Sequence, residues 1–240
     1  MKIVALSDTH GLHHSIEVPD GDVLIVAGDW SRSSNVDNFQ GVKAEAEDFA
    51  NWLKNMPHKH KIIVAGNHDV SLQSDHRELV IQRIESMGGA HYLEDQCLVI
   101  DGIKFYGSPW TPAIGGEWAF EQNRSDSRNK WRVVPSDTDV LITHGPPRSI
   151  LDKTRLNDSC GDHALWGEVT FRIMPALHIF GHIHEGYGMV ANQDTTFANV
   201  AQLDADGNLR ENAVVEIELN PEHNNLNKAA AAIRRSRYNH

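Results

Sequence analysis

KIVALSDTHG (residues 2–11), VLIVAGD (23–29) and IIVAGNHD (62–69) decide the reading of this chain. Each opens with a short apolar run rich in β-branched residues and lacking polar alternation. Such a run predicts a strand covered on both faces. Each then stops abruptly at Asp, Asn or His. VLITHG (140–145) and LHIFGHIH (177–184) repeat the grammar further along. In an open α/β sheet, ligands bind outside the carboxyl ends of the strands. The residues that end these five runs, Asp8, His10, Asp29, Asn67, His68, His144, His182 and His184, are therefore expected to converge. Asp8 and His10 are two positions apart, as are His182 and His184, and an extended segment would point each pair to one side. Glycines 28, 66 and 181 stand immediately before Asp29, Asn67 and His182, where they permit a sharp turn and a close backbone approach.

Carboxylate, imidazole and amide oxygen together suit ions such as manganese, iron, nickel or zinc. A single strand-end Asp caps a turn, and GNHD by itself reads as a polar turn. Five such ends in succession exceed what turn chemistry requires. The two cysteines, Cys97 and Cys160, are too few for a disulfide framework or a thiolate site. His13, His14, His58, His60, His76, His91, His163, His178 and His223 lack the strand-end context and read as surface or packing residues.

Between the strands, Val42–Met56 carries apolar residues at helical spacing and ends at Pro57. His76–Met87 has the same pattern, stopped by Gly88-Gly89, and Leu165–Met174 reads as a third helix. Cys97–Tyr106 predicts a hairpin turning at Asp101-Gly102. Thr195–Asn199 and Val214–Leu219 predict further strands. One domain over residues 1–220 is expected, with a peripheral tail at 221–240 in which NKAAAAIRRSR (227–237) reads as a short basic helix. The 240 residues carry a net charge of −11, which weighs against long nucleic acid as a partner. A cationic metal centre can still attract a small phosphoester or nucleotide. The N-terminal run is too short for a signal peptide, and no apolar stretch suits a membrane span. A cytoplasmic protein with no membrane partner is expected, and its oligomeric state is left open.

The five blocks, DTH (8–10), GD (28–29), GNHD (66–69), THG (143–145) and GHIH (181–184), resemble in order those of calcineurin-like metallophosphoesterases, over roughly residues 1–200. GSPW (107–110), THGPP (143–147) and FGHIHEGYG (180–188) are similar to a narrower group, the metallophosphoesterase-domain-containing proteins of animals and their microbial relatives. That group is associated with phosphodiester hydrolysis, cyclic nucleotides included. Some animal members carry Gly for a histidine of the last block, whereas this chain keeps both.

The resemblance implies an α/β fold, a four-layer αββα sandwich, and two divalent metal ions. Manganese is expected, with iron, zinc, nickel or cobalt as alternatives. One ion would be held by Asp8, His10, Asp29 and His184, the other by Asp29, Asn67, His144 and His182. His68 would act as the catalytic residue above the site, with Asp69 orienting its ring. The implied reaction is hydrolysis of nucleotide-type or cyclic-nucleotide phosphodiesters through a metal-bridging hydroxide. A phosphomonoesterase, a nuclease or a low-turnover scaffold or sensor are the alternatives. The loop Ser108–Trp131 reads as a substrate lid with Trp110, Trp118, Phe120, Arg124 and Trp131. Arg32, Trp110 and Arg148 are candidate substrate contacts. Cys160-Gly161-Asp162-His163 suggests no chemical role.

Overall fold

In the computed structural model, which describes residues 1–32, 36–211 and 213–219, the apolar runs are strands. In chain order the elements are β1 (Lys2–Leu6), β2 (Val23–Ala27), α1 (Phe39–Asn55), β3 (His60–Val64), α2 (Arg77–Gln82), β4 (His91–Tyr92), β5 (Gln96–Ile100) and β6 (Ile103–Ser108). There follow β7 (Thr111–Pro112), β8 (Glu121–Gln122), α3 (Ser127–Arg132), β9 (Val140–Thr143), α4 (His163–Glu168), β10 (Leu177–Phe180), β11 (Gly188–Ala191), β12 (Thr196–Asn199) and β13 (Val215–Glu218). The tail expected at 221–240 lies outside the described residues.

The strands form two main sheets, ordered β13-β1-β2-β3-β4 and β11-β12-β10-β9-β6-β5. Side-chain alternation along each strand then builds the layers. Ile3, Ala5, Val23, Ile25, Ile62 and Val64 face inward and meet Phe105, Val140, Ile142 and Ile179 of the second sheet. Val4, Leu6, Leu24, Val26 and Ile63 face outward and bury Phe49, Leu53, Val80 and Ile84 from the helical layer. On the far side Tyr106, Leu141, Phe180 and Phe197 pack against Trp131, Leu165 and Val169. Each fully buried aliphatic or aromatic side chain contributes roughly 1.5–3 kcal/mol. The result is the expected αββα sandwich, and it explains why the strand runs lack polar alternation.

α1 starts where the Asn38 side chain accepts from the Gly41 amide at 3.1 Å, and it ends at Met56, which is extended before Pro57. Phe49 on its inner face stacks on Trp30 with ring centroids 4.4 Å apart. The segment read as one helix over 76–87 is α2 followed by a wider π-type turn, Arg83–Met87. α4 likewise continues into a π-type turn, Val169–Ile173. The hairpin forms as expected, with Asp101 and Gly102 both at positive φ between β5 and β6. The sequence pattern did not anticipate α3, β4, β11 or the short β7–β8 ribbon. No helix among the described residues is long and apolar enough to cross a membrane.

Parallel pairing places the ends of β1, β2 and β3 on one edge and those of β6, β9 and β10 on another. The two edges are joined across the sandwich. The Ser7 amide donates to the Val200 carbonyl at 3.0 Å, and the Gln202 amide donates back to Ser7 at 2.9 Å. That stitch brings the residues after β1 against those after β12, the neighbour of β10 in the second sheet.

Candidate metal centre

The seven side chains expected to hold metal meet at this stitched edge. Asp8, His10 and His184 form one group whose ligand atoms lie within 4.8 Å of one another, and Asp29, His144 and His182 form a second. Asn67 completes the second group, its Oδ1 lying 3.0 Å from His144 Nε2. Asp29 serves both sides: its Oδ2 is 3.3 Å from His144 Nε2 and 3.8 Å from His10 Nε2. His184 Nε2 is 3.4 Å from Asp8 Oδ1. His68 also enters the constellation, grouped with His10 and Asp29, and its ring meets that of His10 edge-on at 4.6 Å.

Backbone geometry holds these groups in place. Asp8, His10, Asp29 and His182 all adopt positive φ, between 43° and 66°. Asp8 and His10 are therefore not extended, contrary to expectation; two left-handed residues turn them toward one centre. The Asp8 amide donates to the Gly28 carbonyl at 2.9 Å and the His10 amide to the Asp29 carbonyl at 3.0 Å, which fixes the turn. The glycines are required by space. A Cβ on Gly66 would lie 2.2 Å from Asp29 Oδ1, and one on Gly181 would lie 2.1 Å from Asp8 Oδ2.

Hydrogen bonds set the imidazole tautomers. His144 Nδ1 donates to the Ala27 carbonyl at 2.9 Å, and His184 Nδ1 donates to the Asp204 carbonyl at 3.1 Å. In each ring Nε2 is left to face the carboxylates, the arrangement that metal-binding histidines adopt. Burial opposes the charge on both His144 and Asp29. Their mutual attraction prevails, raising His144 to about 10 and holding Asp29 well below the carboxylate range. Burial keeps the His68 ring below its ordinary value, with a smaller opposing pull from Asp29. A buried, strained set of carboxylate, imidazole and amide donors around a shared Asp29 fits two divalent ions.

Asp69 takes a different place from the one expected. Its Oδ2 accepts from the amides of Asp29 at 2.9 Å and Gly66 at 2.7 Å, and its Oδ1 accepts from Ser31 at 2.9 Å. The carboxylate fastens the β2 and β3 loops together instead of orienting the His68 ring. Burial and the neighbouring Asp29 push its carboxyl up to about 8, against the pull of the Gly66 and Ser31 amides and of His144.

The centre opens into a cavity of about 470 Å³. One wall is His10, Asp29, Asn67, His68, His182 and His184; the other is Ile114, Trp118, Leu203, Ala205 and Gly207, with Glu185 also lining it. No Lys or Arg side chain lines it among the described residues. Trp118 reaches it from the lid, its ring 4.3 Å from that of His68, and the next amide, Ala119, donates to the Asn67 carbonyl at 3.0 Å.

The other expected substrate contacts lie elsewhere. Trp110 Nε1 donates to Asp95 at 3.0 Å, its ring lies beneath Lys130 Nζ at 3.9 Å, and it packs on the core. Arg148 Nη1 donates to the Ser159 carbonyl at 3.4 Å, and Arg32 is an exposed residue whose amide donates to Glu45 at 2.6 Å. Phe120 and Trp131 are fully buried, and Arg124 donates to the carbonyls of Cys160 and Gly161. The Cys160–His163 stretch is structural: Asp162 caps α4 through the amides of Ala164 and Leu165 and accepts from Trp131 Nε1 at 2.9 Å.

The chain belongs to the calcineurin-like phosphoesterase family, whose sequence model matches residues 1–186. Members of that family are metal-dependent phosphoester hydrolases that work with two divalent ions. UPF0046 protein K07C11.7 of Caenorhabditis elegans is 37% identical, the match covering 90% of this chain and 74% of that protein. Human metallophosphoesterase domain-containing protein 1 is 34% identical over 83% of this chain, which spans 65% of the human protein's length. TT1561 of Thermus thermophilus shares the fold with a TM-score of 0.55 at 10% identity, over 83% of this chain and 88% of its own.

Proposed function

We propose that this centre hydrolyses phosphodiesters, among them nucleotide-type and cyclic-nucleotide esters, with manganese as the working ion. The observation that carries the reading is the cavity wall. Among the described residues, beyond the metal-binding side chains and His68 it offers Trp118, Ile114, Leu203 and the carboxylate of Glu185, and no Lys or Arg. A diester carries a single negative charge, which ions in the centre can balance without help from a protein cation. A dianionic monoester or a polyphosphate gains no further partner here. The indole of Trp118 gives a base or another flat ester group a surface to stack on.

Asp8, His10, Asp29 and His184 would hold one ion, and Asp29, Asn67, His144 and His182 the other. Such ions supply Lewis acidity toward phosphoryl oxygen and water. The chain's own groups position and transfer protons. The Asp204 and Ala27 carbonyls keep His184 and His144 in the tautomer that exposes Nε2. His68 borders the cavity between His10 and Trp118, where the N–H of its neutral imidazole can hydrogen-bond to the departing oxygen and pass it a proton as charge builds there. The free cysteines and the net charge of −11 support a reducing, cytoplasmic location and a small substrate.

The test strips the protein with chelator, restores manganese, zinc, nickel, iron or cobalt, and assays a diester, a monoester and cyclic nucleotides in parallel. Metal-restored turnover with diester well above monoester is expected. His68→Ala should keep its metal and lose about 10²–10⁴-fold in rate. A monoester preference would overturn the diester reading, and no turnover with two ions bound would shift the site to a sensor role.

A further inference from the structure

A second cluster of metal-binding side chains lies outside the centre. His13 and His14 sit on a short 3₁₀ turn, His13–Ser15, and Asp48 sits on α1. Both imidazoles aim Nε2 at one carboxylate, His13 at Oδ2 over 3.1 Å and His14 at Oδ1 over 3.0 Å. The three ligand atoms lie within 4.8 Å of one another, and none of the three residues lines the catalytic cavity.

We propose that His13, His14 and Asp48 form a third metal site, selective for zinc-class ions such as zinc, copper, nickel or cobalt. Tetrahedral coordination at ~2.0–2.1 Å places neighbouring ligand atoms about 3.3 Å apart. The two nitrogen–oxygen separations, 3.1 and 3.0 Å, run to different oxygens of Asp48. One ion would therefore be seated by turning the exposed His14 and Asp48 side chains toward it, all three ligand atoms already lying within 4.8 Å of one another. Two imidazoles and one carboxylate favour these ions over magnesium and calcium. His13 is held still: its side chain is 2% exposed, and its ring lies 5.4 Å from Phe49 and 5.3 Å from Trp52. His14 and Asp48 are each 56% exposed, so an ion can enter from solvent and keep water in its remaining position. Burial and the neighbouring His14 lower the His13 ring below its ordinary value against the pull of Asp48, which favours the neutral form that binds metal.

One feature limits affinity. Buried His13 Nδ1 has no hydrogen-bond partner among the described residues, whereas metal-bound imidazoles ordinarily donate that proton. The site is therefore expected to be micromolar, not a permanent structural zinc. Occupied, it would tie the turn that follows the His10 loop to α1.

The experiment counts ions. Protein equilibrated with excess zinc, then washed, is examined by native mass spectrometry and calorimetric titration beside His14→Ala and Asp48→Asn. Both altered residues are exposed, so the fold should survive. Wild type should bind one zinc more than either variant, and each variant should weaken that extra event by tenfold or more. The comparison is a difference, so it holds whatever the occupancy or reaction of the catalytic centre. As a second readout, copper should quench the fluorescence of Trp52, and the quench at the extra equivalent should vanish in Trp52→Phe. Equal zinc counts in wild type and variants, or an extra ion that survives both substitutions, would overturn the site.

Discussion

At the residue scale, the centre stores backbone strain to gain convergence. Four of the seven expected ligands sit at positive φ, a conformation that costs about 1–3 kcal/mol for a residue with a side chain. Cross-strand amide bonds from Asp8 to Gly28 and from His10 to Asp29 hold them there. The identities of these residues were legible in the sequence because each follows a buried strand. Their conformation was not, because it is imposed by neighbours about twenty residues away in sequence. Glycines complete the device by leaving room. Gly181→Ala would put a methyl 2.0 Å from Ser7 Oγ and 2.1 Å from Asp8 Oδ2, and Asp8 could not keep its place beside His184. Metal affinity should fall about 10–100-fold, the range seen when groups that orient ligands are removed. Titrating manganese into the metal-free variant measures this, and an unchanged affinity would refute the crowding argument.

At the scale of elements, the lid shows where sequence reading stops. Trp110, Trp118, Phe120 and Trp131 share one loop and similar chemistry, yet only Trp118 lines the cavity. The partners that sort them, Asp95, Gln73 and Asp162, come from distant segments, so no local pattern could make the distinction. The Cys160–His163 stretch, silent in the sequence, holds the lid's base. Asp162 caps α4 with one oxygen and receives Trp131 Nε1 and Ser127 Oγ with the other. Asp162→Ala should cost roughly 2–4 kcal/mol, combining a lost helix cap with buried donors left unpaired beneath α3. Urea denaturation would report it. A loss below about half a kcal/mol would mean that α3 and α4 are held by packing alone.

At the scale of the whole molecule, two sheets back to back make a core in which polar groups are few and their ionisation is coupled to folding. The strands β1, β2, β3, β9 and β10 were readable because both faces of each are covered, but their division between two sheets was not, since both sheets use the same apolar composition. His178 shows the consequence. Sequence assigned it to surface or packing, and it lies fully buried on β10 beside Phe180 and Phe197. Nε2 meets Thr143 Oγ1 at 2.8 Å, and Nδ1 has no partner among the described residues. Burial lowers its pKa from 6.5 to about 3. Between those values the unfolded chain takes up a proton that the folded chain refuses, so stability must fall as pH drops through that window. One proton corresponds to a slope of up to about 1.4 kcal/mol per pH unit. His178→Leu replaces the imidazole with an apolar side chain and leaves Thr143 Oγ1 bonded to the Gly145 carbonyl. Its acid limb, from urea midpoints taken between about pH 4.5 and 7.5, should be shallower than wild type by up to that slope, with the curves converging in shape above about pH 7. Parallel limbs would show that His178 takes a proton in the folded state and that acid sensitivity arises at other groups.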